Sequence, residues 1–291
     1  MASATLPKWI KTPQYNKTEY VKTKELLEKN NLNTVCMQAN CPNRYECFSK
    51  GTATFMILGN ICTRNCLYCN VRNGQPQKVD EREPERIAQA VYKLQLHYAV
   101  ITCVTRDDLE DAGAAQFVKT IKSIRKVNPG CKIEVLISDL KGDWIALKKI
   151  TDAKPDVLNH NIEVVRVLFP KLRPEGNYND SLQLLKKTKV FNPKIKTKSG
   201  FMLGFGEDEN QVTDTLQDLK EACCDIVTVG QYLQPGKMNF EVKKYYTPKE
   251  FKIIEEKAKQ MGIKNVLAGP MVRSSYKADE VLGENKHEQY G

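Results

Sequence analysis

The sequence has little histidine and no long apolar segment. Only three of its 291 residues are histidine, and no apolar run approaches the ~18 residues of a membrane-spanning helix. Residues 1–12 lack the apolar core of a secretory signal and the arginines of a transit peptide, so we expect neither export nor organelle import. No internal repeat or low-complexity linker is visible. These absences favour a globular protein of the cytoplasm, with no membrane partner.

Cysteine is abundant instead. The chain contains ten cysteines, 41% apolar residues and 27% charged residues, enough apolar material to bury a core. Without an export signal, such cysteines indicate metal binding or catalysis rather than disulfides. Six fall within residues 36–69, and four are scattered through apolar stretches, where we expect small buried side chains. The six are Cys36, Cys41, Cys47, Cys62, Cys66 and Cys69; the four are Cys103, Cys131, Cys223 and Cys224.

Strand-like and helix-like segments alternate along most of the chain. Strands are predicted at 54–58, 99–104, 133–137, 156–158, 200–203, 225–229 and 265–268. Helices are predicted at 18–30, 83–96, 112–127, 143–150, 179–189, 209–222 and 248–260. Thr247 and Glu250 form a capping box with Pro248 at the first helical position. The alternation predicts the α/β class, with a parallel sheet closed or partly closed into a β/α barrel.

Cys62, Cys66 and Cys69 form a C-x3-C-x2-C triad directly after the first predicted strand. In a β/α barrel this is the end that carries active sites. Three thiolates are one fewer than a structural zinc ion or an ordinary 4Fe–4S cluster uses, so one metal position would stay open for chemistry. A zinc knuckle is the alternative, although no fourth cysteine or histidine lies close in sequence.

The order of strand, cysteine triad and βα units resembles the radical S-adenosylmethionine (SAM) superfamily. The resemblance implies that SAM binds the open iron of a 4Fe–4S cluster and yields a 5′-deoxyadenosyl radical. It also places Tyr68 near the adenine of SAM. The implied fold is a partial barrel of the (β/α)6 type.

A second triad, Cys36, Cys41 and Cys47, has the spacing C-x4-C-x5-C and again lacks a fourth ligand. A zinc-stapled N-terminal flap is the alternative here. Together with eight segments along the chain, this triad resembles the lipoyl synthase family over residues 36–278. The segments are 41–47, 51–59, 106–109, 134–139, 159–163, 199–207, 230–235 and, with the sequence R-S-S-Y, 273–276.

The family resemblance assigns the remaining site residues. The Cys36 triad would hold an auxiliary 4Fe–4S cluster that is consumed as the sulfur source. Ser275 would be its fourth ligand, and Arg273 of the same motif would share in catalysis. Sulfur would be inserted at C6 and C8 of an octanoyl group on a protein lysine. The three expected parts are an extension at 1–50, the barrel at 51–270 and an extension at 271–291.

Two segments are expected to contact SAM. Gly204, Gly206 and Glu207 resemble the superfamily motif that receives the SAM amino group, although G-x-G-E alone is usually a turn. Asn161 and Glu163 match a segment whose side chains contact chiefly the ribose; a helix cap is the alternative. We interpret His160 as structural, because hydrogen-atom abstraction needs no general base.

The net charge of +10 is concentrated in a basic run. Residues 186–198 contain six lysines and no acid, and three further basic residues precede them. A solvated face is the default interpretation; the resemblance adds an acidic carrier, a lipoyl domain or a glycine-cleavage H protein bearing the octanoyl group. It also implies a ferredoxin-like or flavodoxin-like electron donor and an iron–sulfur carrier, and we expect no nucleic acid. The nine basic residues of residues 166–198 mentioned above are Arg166, Lys171, Arg173, Lys186, Lys187, Lys189, Lys194, Lys196 and Lys198.

Three rival functions are compatible with parts of the sequence. A biotin synthase-like enzyme leaves the C-x4-C-x5-C triad unexplained, and a tRNA methylthiotransferase-like enzyme needs a longer chain. A zinc-stabilised binding module without catalysis is the rival from another class. The sequence departs from the lipoyl synthase pattern at Asn40, at Leu67 and Tyr68, and after Pro235, where Lys237 begins a segment with little resemblance.

Overall fold

Seven parallel strands form the centre of the molecule. The computed structural model describes residues 6–11 and 14–280, so the end of the predicted C-terminal extension lies outside the described residues. The strands are paired in chain order, β1 to β7, and every pair is parallel. They are β1 (Thr54–Ile57), β2 (Tyr98–Cys103), β3 (Lys132–Leu136), β4 (Val157–Asn159), β5 (Lys196–Leu203), β6 (Ile226–Gln231) and β7 (Asn265–Gly269).

Each of the first six strands is followed by a helix that returns over the outside of the sheet. The helices are α1 (Lys17–Lys29), α2 (Val35–Gln38), α3 (Arg44–Ser49), α4 (Glu83–Lys93), α5 (Ala114–Val127), α6 (Trp144–Asp152), α7 (Phe169–Leu172), α8 (Tyr178–Phe191), α9 (Glu209–Glu221) and α10 (Pro248–Gln260). The result is a (β/α)6 arrangement with a seventh strand, which confirms the predicted partial barrel.

The local sequence signals explain the helix ends. Thr247 accepts a hydrogen bond from the backbone of Glu250 and the Glu250 carboxylate accepts one in return, so the predicted capping box is present. Asp208 and Gln211 form a second box at the start of α9. Buried apolar side chains such as Ile101 and Phe117 fill the space between strands and helices. This packing fixes the strand ends that carry the site.

The N-terminal extension covers the open edge of β1. The amide of Met56 donates to the carbonyl of Asn33 at 2.8 Å. The C-terminal segment approaches from β7: the Asn43 side chain donates to the Met271 carbonyl at 2.7 Å, and the Tyr276 hydroxyl donates to Glu46 at 3.0 Å. The two extensions therefore meet across the gap between the first and last strands.

Three expectations about individual residues were wrong. Cys223 is exposed, at the turn that ends α9, and does not pack in the core. The strand predicted at 200–203 begins at Lys196, because its first half is polar and lacked an apolar signal. Within this half, Lys198 is only 1% exposed, so it does not belong to a solvated basic face.

No helix among residues 6–11 and 14–280 combines the length and apolar character needed to cross a membrane.

Candidate functional site

The Cys62 triad lies in a loop that leaves the carboxyl end of β1. Leu58, the last residue before the loop, has a positive φ of 70°. Its amide donates to the buried Glu83 carboxylate at 2.9 Å, and its carbonyl accepts from Arg106 at 3.2 Å. Left-handed backbone is costly for leucine, so these two partners hold the exit direction of the loop.

Arg64, inside the triad, is clamped by two carboxylates. Its guanidinium donates to Asp107 at 2.7 and 2.9 Å and to Asp139 at 2.5 and 2.8 Å. Burial raises the pKa of Asp139, but the hydrogen bonds and charge of Arg64 outweigh it and hold the pKa at about 2. Asp107 follows β2 and Asp139 follows β3, so the clamp ties the cysteine loop to two neighbouring strand ends. Both segments belong to the family resemblance, but their pairing with Arg64 was not predicted from the sequence.

The other side of the loop is held by backbone contacts. The Leu67 amide donates to the Leu172 carbonyl at 3.0 Å, and the Phe240 amide donates to the Leu67 carbonyl at 2.9 Å. The Asn239 side chain donates to the carbonyl of Cys69 at 2.8 Å. Asn239 and Phe240 belong to the segment with little family resemblance, so only the structure could identify them as supports of the cysteine loop.

The segment after β4 brings Asn161 and Glu163 to the same barrel end. Glu163 has a positive φ of 67° and is bridged to β5: its amide donates to the Gly200 carbonyl at 3.0 Å. The Asn161 amide donates to the Glu163 carboxylate at 3.1 Å, and Arg173 donates to the Asn161 carbonyl at 3.0 Å. The two predicted SAM-contact residues are therefore fixed relative to each other.

Tyr68 and Glu163 lie within electrostatic range of each other. Burial raises the pKa of Tyr68 and the charge of Glu163 adds to that shift, while Arg173 opposes it. Burial likewise raises the pKa of Glu163, against the charge of Arg173. The structure thus brings the aromatic residue of the triad loop and the predicted ribose contact into one half-buried cluster.

The loop after β5 is shaped by Glu207. Its carboxylate accepts the amide of Gly204 at 2.7 Å and the amide of Phe205 at 2.9 Å. Gly204 and Gly206 have positive φ angles of 120° and 103°, and a Cβ on Gly204 would lie 2.3 Å from the Gln231 side chain. Glu207 therefore organises the glycine loop, and its direct contact with an ammonium group stays a prediction.

His160 is buried beside the site without facing a proton-transfer partner. Its Nδ1 is 2.9 Å from the Ile137 carbonyl. Burial lowers its pKa to about 4, so the ring is neutral near pH 7. This environment suits the structural role expected from the sequence.

The second triad lies in the N-terminal extension, around α2 and α3. A cavity of about 380 Å³ is lined by Cys36, Cys47 and Ser275, among others. Burial chiefly, and then the charges of Cys36 and Cys41, raise the pKa of Cys47, so the three thiols lie within electrostatic range of one another. Residues from the two ends of the chain thus share one cavity.

The R-S-S-Y motif connects this cavity to the segment of Asn161 and Glu163, where SAM contacts are predicted. Ser274 donates to the Asn161 side chain at 2.7 Å. Burial lowers the pKa of Arg273, whereas the charges of Cys41 and Glu163 raise it, so its guanidinium lies within range of both groups of residues. Sequence analysis predicted the motif as a cluster ligand but missed the Ser274 contact.

The donor set of each triad fits an iron–sulfur cluster. The Sγ atoms of Cys62 and Cys69 accept backbone N–H groups at 3.5 and 3.4 Å, contacts that favour thiolates. Burial, chiefly, raises the pKa of Cys36 to about 11 and of Cys69 to about 12, so loading would release protons. Across the described ranges, no three His, Cys, Asp or Glu side chains gather around one ion position.

Fewer residues of the basic run are exposed and unpaired with carboxylates than the sequence suggested. Lys198 and Arg173 are buried, with Lys198 donating to Glu134 inside the barrel at 3.0 Å. Arg166, Lys189 and Lys196 are paired with carboxylates. Lys171 and Lys194 are exposed, and Lys186 and Lys187 are half-buried.

Comparison with known proteins defines the class. Residues 56–219 match the Radical SAM superfamily. The fold is similar to methylornithine synthase PylB (TM-score 0.59, 13% identity, 86% of this chain and 77% of that chain). It is also similar to HydG, a maturase of FeFe hydrogenase (TM-score 0.60, 15% identity, 91% and 66%). The chain is a radical SAM protein, and the structural likeness at these identities concerns the fold alone.

Sequence relatives narrow the class further. The chain is 49% identical to the lipoyl synthase of Caldanaerobacter subterraneus subsp. tengcongensis, over 94% of this chain and 95% of the relative. It is 50% identical to that of Desulfotalea psychrophila, over 95% and 92%. The chain belongs to the lipoyl synthase family. This confirms the expected sulfur-inserting radical SAM enzyme with SAM and two 4Fe–4S clusters as cofactors.

Proposed function

We propose that the protein inserts sulfur at C6 and C8 of an octanoyl group attached to a lysine of a carrier protein, giving the lipoyl group. The observation that carries this assignment is the shared cavity of Cys36, Cys47 and Ser275. Ser275 lines the same cavity as two of the three cysteines of this triad, in a chain that has a second incomplete triad. The hydroxyl is a harder ligand than a thiolate and would leave an opened cluster more readily.

The residues divide into two cofactor sites. Cys62, Cys66 and Cys69 would hold the SAM-cleaving cluster, and Cys36, Cys41, Cys47 and Ser275 would hold the auxiliary cluster. When bound, these groups and SAM supply a 5′-deoxyadenosyl radical that removes hydrogen from carbon, and the sulfur that takes its place. Asn161, Glu163, Tyr68 and the loop with Gly204, Gly206 and Glu207 would position SAM.

The protein side chains would hold the reactants in position and shield the radical from water. The Arg64 clamp and the Asn239 contact keep the Cys62 loop in one position relative to the strand ends. The charges of Cys41 and Glu163 both act on Arg273, whose guanidinium would balance the negative charge of the thiolates. Positioned reactants and excluded water protect a radical from side reactions, which is the main demand of this chemistry.

The carrier is an octanoylated protein, and we propose an acidic lipoyl domain or glycine-cleavage H protein. Lys171, Lys186, Lys187 and Lys194 would attract it, so raising the salt concentration should raise the apparent KM. A low-potential ferredoxin or flavodoxin would supply electrons, and an iron–sulfur carrier would rebuild the auxiliary cluster. All ten cysteines are free, which suits the reducing cytoplasm.

Anaerobic reconstitution tests the proposal. The protein should take up iron for two clusters, cleave SAM, and convert an octanoyl-lysine peptide to its lipoyl form. Cys41→Ala should still cleave SAM but insert no sulfur, whereas Cys66→Ala should do neither. Uptake of stoichiometric zinc without iron, or SAM cleavage that never leads to a sulfur-containing peptide, would contradict it.

A further inference from the structure

Three consecutive residues of the C-terminal segment, 274–276, contact the two candidate cofactor sites. Ser274 Oγ donates to Asn161 Oδ1 at 2.7 Å. The next residue, Ser275, lines the auxiliary cavity, and the Tyr276 hydroxyl donates to Glu46 at 3.0 Å. We call residues 272–276 the C-terminal strap. A displacement at one site therefore reaches the other through a single peptide unit.

The strap is packed against the barrel strands with almost no clearance. A Cβ on Gly230 of β6 would lie 2.2 Å from the Val272 carbonyl oxygen, and a Cβ on Gly200 of β5 would lie 2.9 Å from Ser274 Oγ. Real Cβ atoms do not approach other heavy atoms this closely, so these two glycines make room for the strap. The strap is consequently packed directly against β5 and β6.

Asn161 links the strap to the groups that would position SAM. Its side-chain oxygen accepts from Ser274, its side-chain nitrogen donates to Glu163 at 3.1 Å, and its backbone carbonyl accepts from Arg173. The oxygen and the nitrogen of the side-chain amide are therefore both hydrogen-bonded within the protein. A shift of Glu163 would move Asn161, which is the hydrogen-bond acceptor of Ser274. A planar amide transmits such a change because its oxygen and nitrogen move together.

We propose that Ser274 is a positioning residue that couples SAM binding at residues 161–163 to occupancy of the auxiliary site by way of Ser275. This rests on the proposed function, since it takes Ser275 as the auxiliary ligand. Thermodynamic coupling is reciprocal. An occupied auxiliary site strengthens SAM binding by the same factor by which bound SAM strengthens occupancy of the auxiliary site. One partly buried neutral hydrogen bond supports a coupling of about three- to tenfold.

The test is a comparison of SAM dissociation constants by calorimetry under anaerobic conditions. The reconstituted protein is measured with both clusters and as the variant Cys36→Ala/Cys41→Ala/Cys47→Ala, which lacks the auxiliary cluster. SAM should bind about three- to tenfold more weakly to that variant. Adding Ser274→Ala to both forms should remove the difference, while Ser123→Ala, which replaces a half-buried serine of α5, should keep it.

A second measurement protects the test if Ser274→Ala folds poorly. Hydrogen exchange of the unmodified holoenzyme should slow at residues 272–276 when SAM is added, together with residues 159–163. An unchanged exchange rate at 272–276, or a coupling factor that survives Ser274→Ala, would overturn the proposal. Both readouts are independent of product formation, so they separate a failure of the coupling from a failure of the sulfur-insertion assignment.

Discussion

Replacing Arg64 by methionine removes the clamp on the Cys62 loop while keeping much of the side-chain volume. The side chains of Arg64 and Asp139 are each only 4% exposed. The variant leaves the Asp139 carboxylate buried without its bidentate partner. Arg173, 3.5 Å away, is then the nearest remaining cation.

The free energy of unfolding that Arg64→Met loses can be worked out in two ways. Removing one partner of a buried ion pair costs about 3–5 kcal/mol. Independently, a pKa of about 2 for Asp139, against ~3.9 in an unfolded chain, corresponds to about 2.5 kcal/mol. That stability is present above pH ~4 and is lost as the pH falls toward 2. Because Arg173 remains, we expect Arg64→Met to lower the free energy of unfolding by about 3 kcal/mol.

The assay combines anaerobic urea unfolding with iron analysis and SAM cleavage. Arg64→Met should lose the iron of the Cys62 cluster and all SAM cleavage, yet retain the iron of the auxiliary cluster. The matched control is Arg166→Met, whose pair with Asp218 involves a side chain that is 57% exposed. Such a surface pair contributes at most about 1 kcal/mol. Equal unfolding free energies for the two variants, with SAM cleavage intact in Arg64→Met, would refute the reasoning.

Ser275, His160 and Gly230 each give a further prediction. Ser275→Ala should keep SAM cleavage and lower sulfur insertion at least tenfold, measured as product per SAM consumed. His160→Gln should remove an acid sensitivity: the folded pKa of about 4 lies below ~6.5 in the unfolded chain, so stability falls by about 3 kcal/mol between pH 6.5 and 4. Gly230→Ala should lower the melting temperature and expose the strap to proteolysis, since its Cβ would meet the Val272 carbonyl at 2.2 Å.

Each of these predictions has its own control. Ser123→Ala should leave the product ratio unchanged, and a ratio equally unchanged in Ser275→Ala would remove the serine from the site. For the histidine, parallel stability–pH curves of wild type and His160→Gln would contradict a buried neutral ring. Gly130→Ala is the control for the glycine, because a Cβ there has no neighbour within 4 Å. A normal melting temperature in Gly230→Ala would show that the strap is loose.

The fold could be predicted largely from periodicity and capping. All seven strands and the long helices between them match predicted segments, because buried parallel strands give apolar runs and helices begin at signals such as Thr247. The four-residue helix α7 had no predicted counterpart. β5 was cut short since Lys198 satisfies its charge inside the barrel with Glu134. A buried ion pair between residues far apart in sequence leaves no local pattern, and the lysine therefore looked solvated.

The candidate site was likewise predicted only in part. The two triads are local patterns, so spacing was enough to find them. The clamp of Arg64 by Asp107 and Asp139 unites residues from three strand ends, and the Ser274–Asn161 bond spans more than a hundred residues. Such contacts depend on which strands become neighbours, and a single sequence does not state that. Asn239 was missed for a further reason, since its segment matches the family pattern poorly.

The central claim is tested most directly by the mass of the product. The protein is reconstituted with isotopically heavy sulfide, freed of excess sulfide, and given octanoylated carrier, SAM and reductant. The account predicts a carrier that gains two heavy sulfur atoms per octanoyl group, in an amount no greater than that of the auxiliary cluster. An unchanged octanoyl carrier alongside full SAM cleavage, or a product without heavy sulfur, would contradict it.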